Sequence, residues 1–252
     1  MAGLTLQQFG AHGALYGPGA GRDLPGVVVL HGAEGPMAGW SHRFAAILAA
    51  HGHLALAAEY GAGDFFAAGP IRDVPLPPLL EAGRALAGHP RASGRVGLLG
   101  WSKGGEAALI LAALAGAEAP FACVAAHAPT GLVTGAFDPV AFRAALAKGV
   151  VRLDTDPAGP RAWSWPGRDD RLAPGSAIPV EDCTIPVFLS HGTADPIVPV
   201  DRTRALAERL AAAGRPADLH IAEGQEHGFD FDAEPLFWRR LLDFLDRHLI
   251  AS

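Results

Sequence analysis

A strand hands its chain directly to a helix with a serine at the apex only where the neighbouring residues lack side chains, and one stretch here meets that condition. Val96-Gly-Leu-Leu99 is a short apolar run, Gly100-Trp-Ser-Lys-Gly104 follows it, and an alanine- and leucine-rich helical pattern begins at once. The spacing predicts strand, sharp turn and helix, with Ser102 in a strained backbone conformation and the glycines allowing the helix to press against the strand. Such a turn stands the serine oxygen clear at the carboxyl end of the strand. It also points the amide of Lys103, in the first helical turn, toward a developing oxyanion.

The rest of the chain alternates in a way that suits this turn. Residues 4–17 read as edge strands in a hairpin, and Val27-Val-Val-Leu30 as a strand buried on both faces. Helical periodicity covers 40–50, 77–88, 103–115, 201–213 and 234–249; further strands are expected at 53–58, 122–126, 187–190 and 218–222. Residues 61–75 form a Gly/Pro/Asp-rich loop. From 130 to 182 the rhythm breaks into proline- and glycine-punctuated chain with one amphipathic patch near 139–148, which reads as a lid-like insertion over the sheet edge. The expectation is a single α/β domain over 1–252, built on a mostly parallel twisted sheet of about eight strands with helices on both faces. Ligands then bind outside the carboxyl ends of the strands.

Three strand ends carry chemistry. A serine hydroxyl needs a base, and the base an orienting carboxylate; on a sheet of this type they follow in the order Ser, Asp or Glu, His. His227, in the polar loop Gly224-Gln-Glu-His-Gly228 after the final strand, is the histidine placed to reach Ser102. Asp195, in His191-Gly-Thr-Ala-Asp195-Pro, falls at the carboxyl end of a buried strand and is the candidate acid; Asp201 reads as a helix-entry carboxylate. The oxyanion donors are expected to be the amides of Lys103 and of Ala33, the latter in the loop His31-Gly-Ala-Glu-Gly35. Glu34 either lines the pocket or pairs with an arginine. Trp101 packs under the site or lines it, and Trp163 and Trp165 are candidates for substrate binding and water exclusion. The Lys103 side chain is expected to be a surface or helix-start charge.

Several function classes drop out on composition. The formal net charge is −6 and there is no basic run, which argues against nucleic acid or an anionic membrane as partner. The two cysteines, Cys123 and Cys183, suggest no disulfide framework and suit a reducing cytosol. No signal-peptide pattern opens the chain and no apolar run reaches the length of a membrane span, so a cytoplasmic location is expected. Neither a metal nor a cofactor is called for; monomer and homodimer stay equally open.

At these residues the chain resembles the α/β-hydrolase superfamily. More narrowly, it is similar to the dienelactone-hydrolase-like branch and to the catalytic domain of acyl-CoA thioesterases and bile-acid-CoA:amino acid N-acyltransferases. The pieces that carry the likeness are Pro25-Gly-Val-Val-Val-Leu-His-Gly-Ala-Glu-Gly35, Gly100-Trp-Ser-Lys-Gly-Gly-Glu106, Ser190-His-Gly-Thr-Ala-Asp195 and Glu226-His-Gly-Phe229. The resemblance implies the α/β-hydrolase fold and a serine hydrolase that cleaves a small-molecule carboxylic ester or thioester through an acyl-enzyme. Ser102 stands where the acyltransferases and dienelactone hydrolases have cysteine, which tilts the expectation toward hydrolysis. The alternatives are acyl transfer at the same site, lactone hydrolysis, or a non-catalytic small-molecule binder. Peptide cleavage is compatible with the fold, but 1–252 holds no propeller to argue for it.

Overall fold

The computed structural model describes residues 3–37, 39–63, 68–149 and 153–250. In chain order the elements are β1 (Leu4–Gln8), β2 (Gly13–Pro18), β3 (Leu24–Leu30), α1 (Trp40–Ala50), β4 (Leu54–Ala58), β5 (Val74–Pro75), α2 (Pro77–Ala87) and β6 (Ala92–Trp101). They continue with α3 (Lys103–Ala115), β7 (Phe121–His127), α4 (Pro139–Leu146), β8 (Trp163–Ser164), β9 (Val187–Gly192), α5 (Asp201–Ala212), β10 (Asp218–Ala222) and α6 (Glu234–Leu249). Eight strands form one mixed sheet in the order β1-β2-β4-β3-β6-β7-β9-β10. β2 is antiparallel to both its neighbours, and every pairing from β4 to β10 is parallel. This is the α/β architecture the periodicity predicts.

Alternate side chains of each central strand go to opposite faces. Val28 and Leu30 of β3 join Leu79 and Leu86 of α2, Leu206 and Leu210 of α5 and most of α3. Val27 and Val29 join Phe44 and Leu48 of α1 with Phe237, Leu241 and Phe244 of α6. α3 is buried along its whole length, which its Ala/Leu/Gly sequence permits without a polar face. Parallel pairing brings the carboxyl ends of the central strands level: Leu30 lies opposite Gly100, Trp101 opposite His127, and His127 opposite Ser190. Every loop that carries a candidate residue leaves from this one edge of the layer.

Two features depart from expectation. β5 and β8 pair in parallel as a separate ribbon, Val74 opposite Trp163, each too short to leave a periodic trace. The segment after β7 is expected over a sheet edge, and the edges are β1 and β10. Its Thr134–Arg143 stretch instead roofs the carboxyl ends of the inner strands, because polar groups of Thr130, Thr134 and Trp163 are drawn to one buried carboxylate on α3. Within it, α4 starts at Pro139 behind an Asp138 cap that accepts from the Val140 and Ala141 amides. Residues 64–67 of the expected loop and 150–152 of the expected insertion lie outside the described residues. Among the described residues, no helix is long and apolar enough to cross a membrane.

Candidate active site

The turn between β6 and α3 has the geometry its glycines require. Ser102 sits at φ 53°, ψ −115°, a conformation a non-glycine residue holds only when its surroundings impose it. A Cβ on Gly100 would lie 2.1 Å from Gly104 O, and one on Gly104 would lie 2.3 Å from His31 O. Helix and strand therefore meet backbone to backbone. The Ser102 amide donates to His127 O at 2.8 Å, and its side chain faces a cavity of about 930 Å³ at the strand ends.

His227 and Asp195 arrive from the loops after β10 and β9. These loops are tied together by Ala194 N–H donating to Gln225 O at 2.8 Å and Gly224 N–H to Thr193 Oγ1 at 2.8 Å. His227 Nδ1 lies 2.6 Å from Asp195 Oδ2, and His227 lines the same cavity as Ser102. Asp195 has no exposed side-chain surface. Burial alone would raise its carboxyl, but hydrogen bonds from His191 and His227, with the Val198 amide, outweigh it and hold the group well below the usual carboxylate range. Oδ1 takes the Ile197 and Val198 amides, and Oδ2 is shared by His227 and by His191 Nε2 at 2.9 Å. An ionised Asp195 accepts only, so the proton between it and His227 sits on Nδ1. Among the described residues Ser102 Oγ makes no hydrogen bond; the serine and the imidazole share the cavity without being bonded.

Ala33 and Lys103 line the cavity beside Ser102, and among the described residues neither amide has an acceptor within the protein. The peptide that carries the Ala33 N–H is fixed from behind, where His31 Nδ1 lies 2.7 Å from Gly32 O. Burial lowers the His31 pKa to about 4, and its ring stacks on Tyr60 at 3.8 Å. Glu34 also lines the cavity and pairs with no arginine among the described residues; its Oε1 accepts the Gly32 amide at 2.8 Å. Burial raises its carboxyl above the ordinary value, with the Gly32 amide opposing. Trp101 lines the site and is stacked between Trp40 (5.1 Å) and His127 (4.1 Å).

Three side chains fall elsewhere than expected. Trp163 is fully buried and off the cavity surface, because its Nε1 donates to Glu106 Oε1 at 2.7 Å. Trp165 is also off that surface, packed in the core with the Arg168 guanidinium 4.8 Å from its ring centre. The Lys103 side chain is no surface charge: it is buried beside Glu106, its Nζ 3.3 Å from both carboxylate oxygens and 3.1 Å from Gly135 O. Glu106 is wholly enclosed and takes further hydrogen bonds from Thr130 Oγ1, Thr134 N and Thr134 Oγ1. The Ser-Lys-Gly-Gly-Glu spacing, which puts Lys103 and Glu106 one helical turn apart, was the available signal for this pair.

Much of the remaining cavity wall is apolar, with Met37, Trp40, Phe137, Phe142, Ile197 and Val198 contributing to it. Its charged members besides Lys103 are Glu34, Asp138, Asp154 and Arg143. Among the described residues no cluster of three His, Cys, Asp or Glu is arranged to hold a metal ion. A serine hydroxyl on a strained turn, an imidazole bound at Nδ1 by a buried carboxylate, and two amides without an acceptor among the described residues thus share one cavity.

Residues 75–251 match the prolyl oligopeptidase family. Among solved structures, a protein designated a dienelactone hydrolase from Klebsiella pneumoniae subsp. pneumoniae superposes with a TM-score of 0.65 at 18% identity, covering 98% of this chain and 99% of that one. A puromycin-hydrolysing peptidase from Mycobacterium tuberculosis superposes with a TM-score of 0.66 at 18% identity, over 100% of this chain and 40% of that one. Among curated proteins, a non-reducing polyketide synthase of Penicillium brevicompactum is 33% identical over 99 residues; these are 38% of this chain and only 4% of the synthase's length.

Proposed function

The chain belongs to the prolyl oligopeptidase family and has a hydrolase/esterase-type α/β fold, and on that premise we propose that it is a serine hydrolase. It cleaves carboxylic esters of bulky apolar acids through an acyl-enzyme. Ser102 attacks the carbonyl, His227 takes and returns the proton, Asp195 orients His227, and the amides of Ala33 and Lys103 hold the oxyanion. The observation that carries this reading is the strained Ser102 turn opening on a cavity shared with an imidazole whose Nδ1 is bound by a buried carboxylate. Cavity size and apolar walls favour a large acyl or leaving group over acetyl. Three carboxylates stand on the wall against Arg143 and against a Lys103 already paired with Glu106, a balance that opposes a polyanionic handle, so simple esters rank ahead of coenzyme A thioesters.

A second reading, cleavage of a small amide or peptide bond, is favoured by the family match and by the likeness to the puromycin-hydrolysing peptidase. The test is kcat/KM on p-nitrophenyl esters of rising chain length, on matched acyl-coenzyme A thioesters and on aminoacyl anilides, with Ser102→Ala as the blank. Medium or long esters turned over at least ~10 times faster than the thioesters, and a Ser102→Ala loss on the order of 10⁶ in kcat, are expected. Near-normal turnover by Ser102→Ala refutes the assignment, and anilides outrunning every ester replaces the first reading with the second.

A further inference from the structure

His127 is buried and is not part of the cavity wall, yet it touches both halves of the machinery. Its main-chain oxygen accepts the Ser102 amide at 2.8 Å. Its ring Nε2 lies 3.1 Å from the main-chain oxygen of His227. We infer that His127 is a positioning residue that sets the separation of Ser102 and His227 through its Nε2–H tautomer, an inference resting on the roles proposed for those two residues.

The tautomer follows from the partners. A carbonyl oxygen only accepts, so the proton belongs on Nε2, and Nδ1 is left to accept from the Ser190 hydroxyl 2.8 Å away. Burial pushes the His127 pKa down to about 3, with the neighbouring His227 adding to the effect, so the ring stays neutral across the working range of a hydrolase. Three aromatic rings leave it no freedom to turn: Trp101 stacked at 4.1 Å, Phe229 edge-on at 4.7 Å and Phe237 at 5.2 Å. The base is thus restrained twice, at Nδ1 by Asp195 and at its backbone by His127. The first restraint aims the ring, while the second sets how far the ring stands from the serine. The base loop keeps its tie to the acid loop through Gln225 O, so removing the His127 proton displaces His227 without unfolding its loop.

Two variants separate position from packing. His127→Gln keeps a donor near the place of Nε2, whereas His127→Phe keeps the aromatic stack and loses the donor. Misplacing a base by the order of 1 Å costs about 10²-fold; kcat for an ester is therefore expected to fall ~10–100-fold in His127→Phe with KM within about twofold. His127→Gln is expected to recover most of that loss. Nitrogen-15 NMR of the histidine-labelled wild type is expected to show His127 as a slowly exchanging Nε2–H tautomer from pH 5 to 8, a readout that needs neither turnover nor a folded variant. An Nδ1–H tautomer, His127→Phe within twofold of wild-type kcat, or His127→Gln no better than His127→Phe would each overturn the inference. A rate that survives Ser102→Ala refutes the hydrolase reading instead, and the tautomer measurement then decides the His127 contact by itself.

Discussion

Lys103→Met should be one of the most damaging conservative substitutions in this chain, although the side chain it removes is next to the candidate nucleophile and not the nucleophile itself. At 3.3 Å and an effective dielectric of about 20, the Lys103–Glu106 attraction is about 5 kcal/mol. Withdrawing two charges from water costs several kcal/mol per ion, so the pair as a whole contributes little. Burial indeed lowers the Lys103 pKa, with Glu106 only partly restoring it. Breaking the pair from one side is different, because a charge is left behind with its water already gone; about 3–5 kcal/mol is the usual cost. The lower end applies to Lys103→Met, since Glu106 keeps donors from Thr130, Thr134 and Trp163. In a chain of this size ~3 kcal/mol lowers Tm by about 6–12 °C.

Glu106→Gln on the Lys103→Met background should then restore part of that loss. Both N–H donors, Thr134 N and Trp163 Nε1, lie on Oε1, where the amide oxygen of a glutamine replaces it. Both hydroxyls, Thr130 and Thr134, lie on Oε2, where each turns to accept from the amide nitrogen. Urea unfolding of wild type, both single variants and the double, followed by tryptophan fluorescence, closes the cycle with an expected coupling of at least about 2 kcal/mol. Single-variant losses that add to within ~0.5 kcal/mol would refute an ionised, mutually dependent pair.

Other perturbations reach other parts of the molecule. Gly104→Ala places a Cβ 2.3 Å from His31 O and 2.5 Å from Leu30 O, so α3 must move off β3; soluble yield or activity on an ester should drop by at least ~10²-fold, and a crystal structure with α3 unmoved would contradict this. Asp195→Asn should lower kcat by on the order of 10⁴ with little change in KM, because the amide gives His227 the wrong partner; a matching loss of circular-dichroism signal or Tm would point to a folding defect instead. Acidification should destabilise the fold through His31 and His127. Both are held neutral, with pKa values of about 4 and about 3 against 6.5 when unfolded, so the unfolded chain takes up protons as pH falls below 6.5 and stability drops with it. These two groups should contribute up to about 2.7 kcal/mol per pH unit to the slope of urea titrations between pH 6.5 and 4, and His127→Gln should lower that slope by up to about 1.4 kcal/mol per pH unit. Asp195, whose carboxyl is held low, contributes stability that is lost only below its ordinary value of 3.8.

Local pattern carried the layers and missed the cross-links. Val27–Leu30, the Gly100–Gly104 turn and the helical spacings of α2 and α6 announce themselves within a few residues, and the strand ends that place Ser102, Asp195 and His227 follow from counting alternations. Trp163 could not be placed that way, because its partner Glu106 lies 57 residues away and is itself hidden in an apolar helix. The Lys103 ammonium looked like an ordinary helix-start charge for the same reason: its carbonyl acceptors at Thr134 and Gly135 come from the irregular segment, where no period predicts direction. His127 was visible as the last residue of a strand, but only the level carboxyl ends of β6, β7 and β9 show that it faces two loops at once. Side chains whose partners come from distant, aperiodic chain were the ones misread.

The contact between Gly104 and the end of β3 has a mechanical meaning. With no side chain between them, the α3 backbone rests on the carbonyls of Leu30 and His31, and the two amides proposed to receive the oxyanion hang on either side of that contact, three residues past Leu30 and one residue before Gly104. α3 is buried along its whole length and cannot lift from β3 while the core is intact, so the gap between the two donors is set by covalent geometry and close packing. Warming the protein should loosen the roof over the cavity long before it spreads that gap, so the temperature at which large esters lose their advantage over small ones should lie below the temperature at which turnover itself fails.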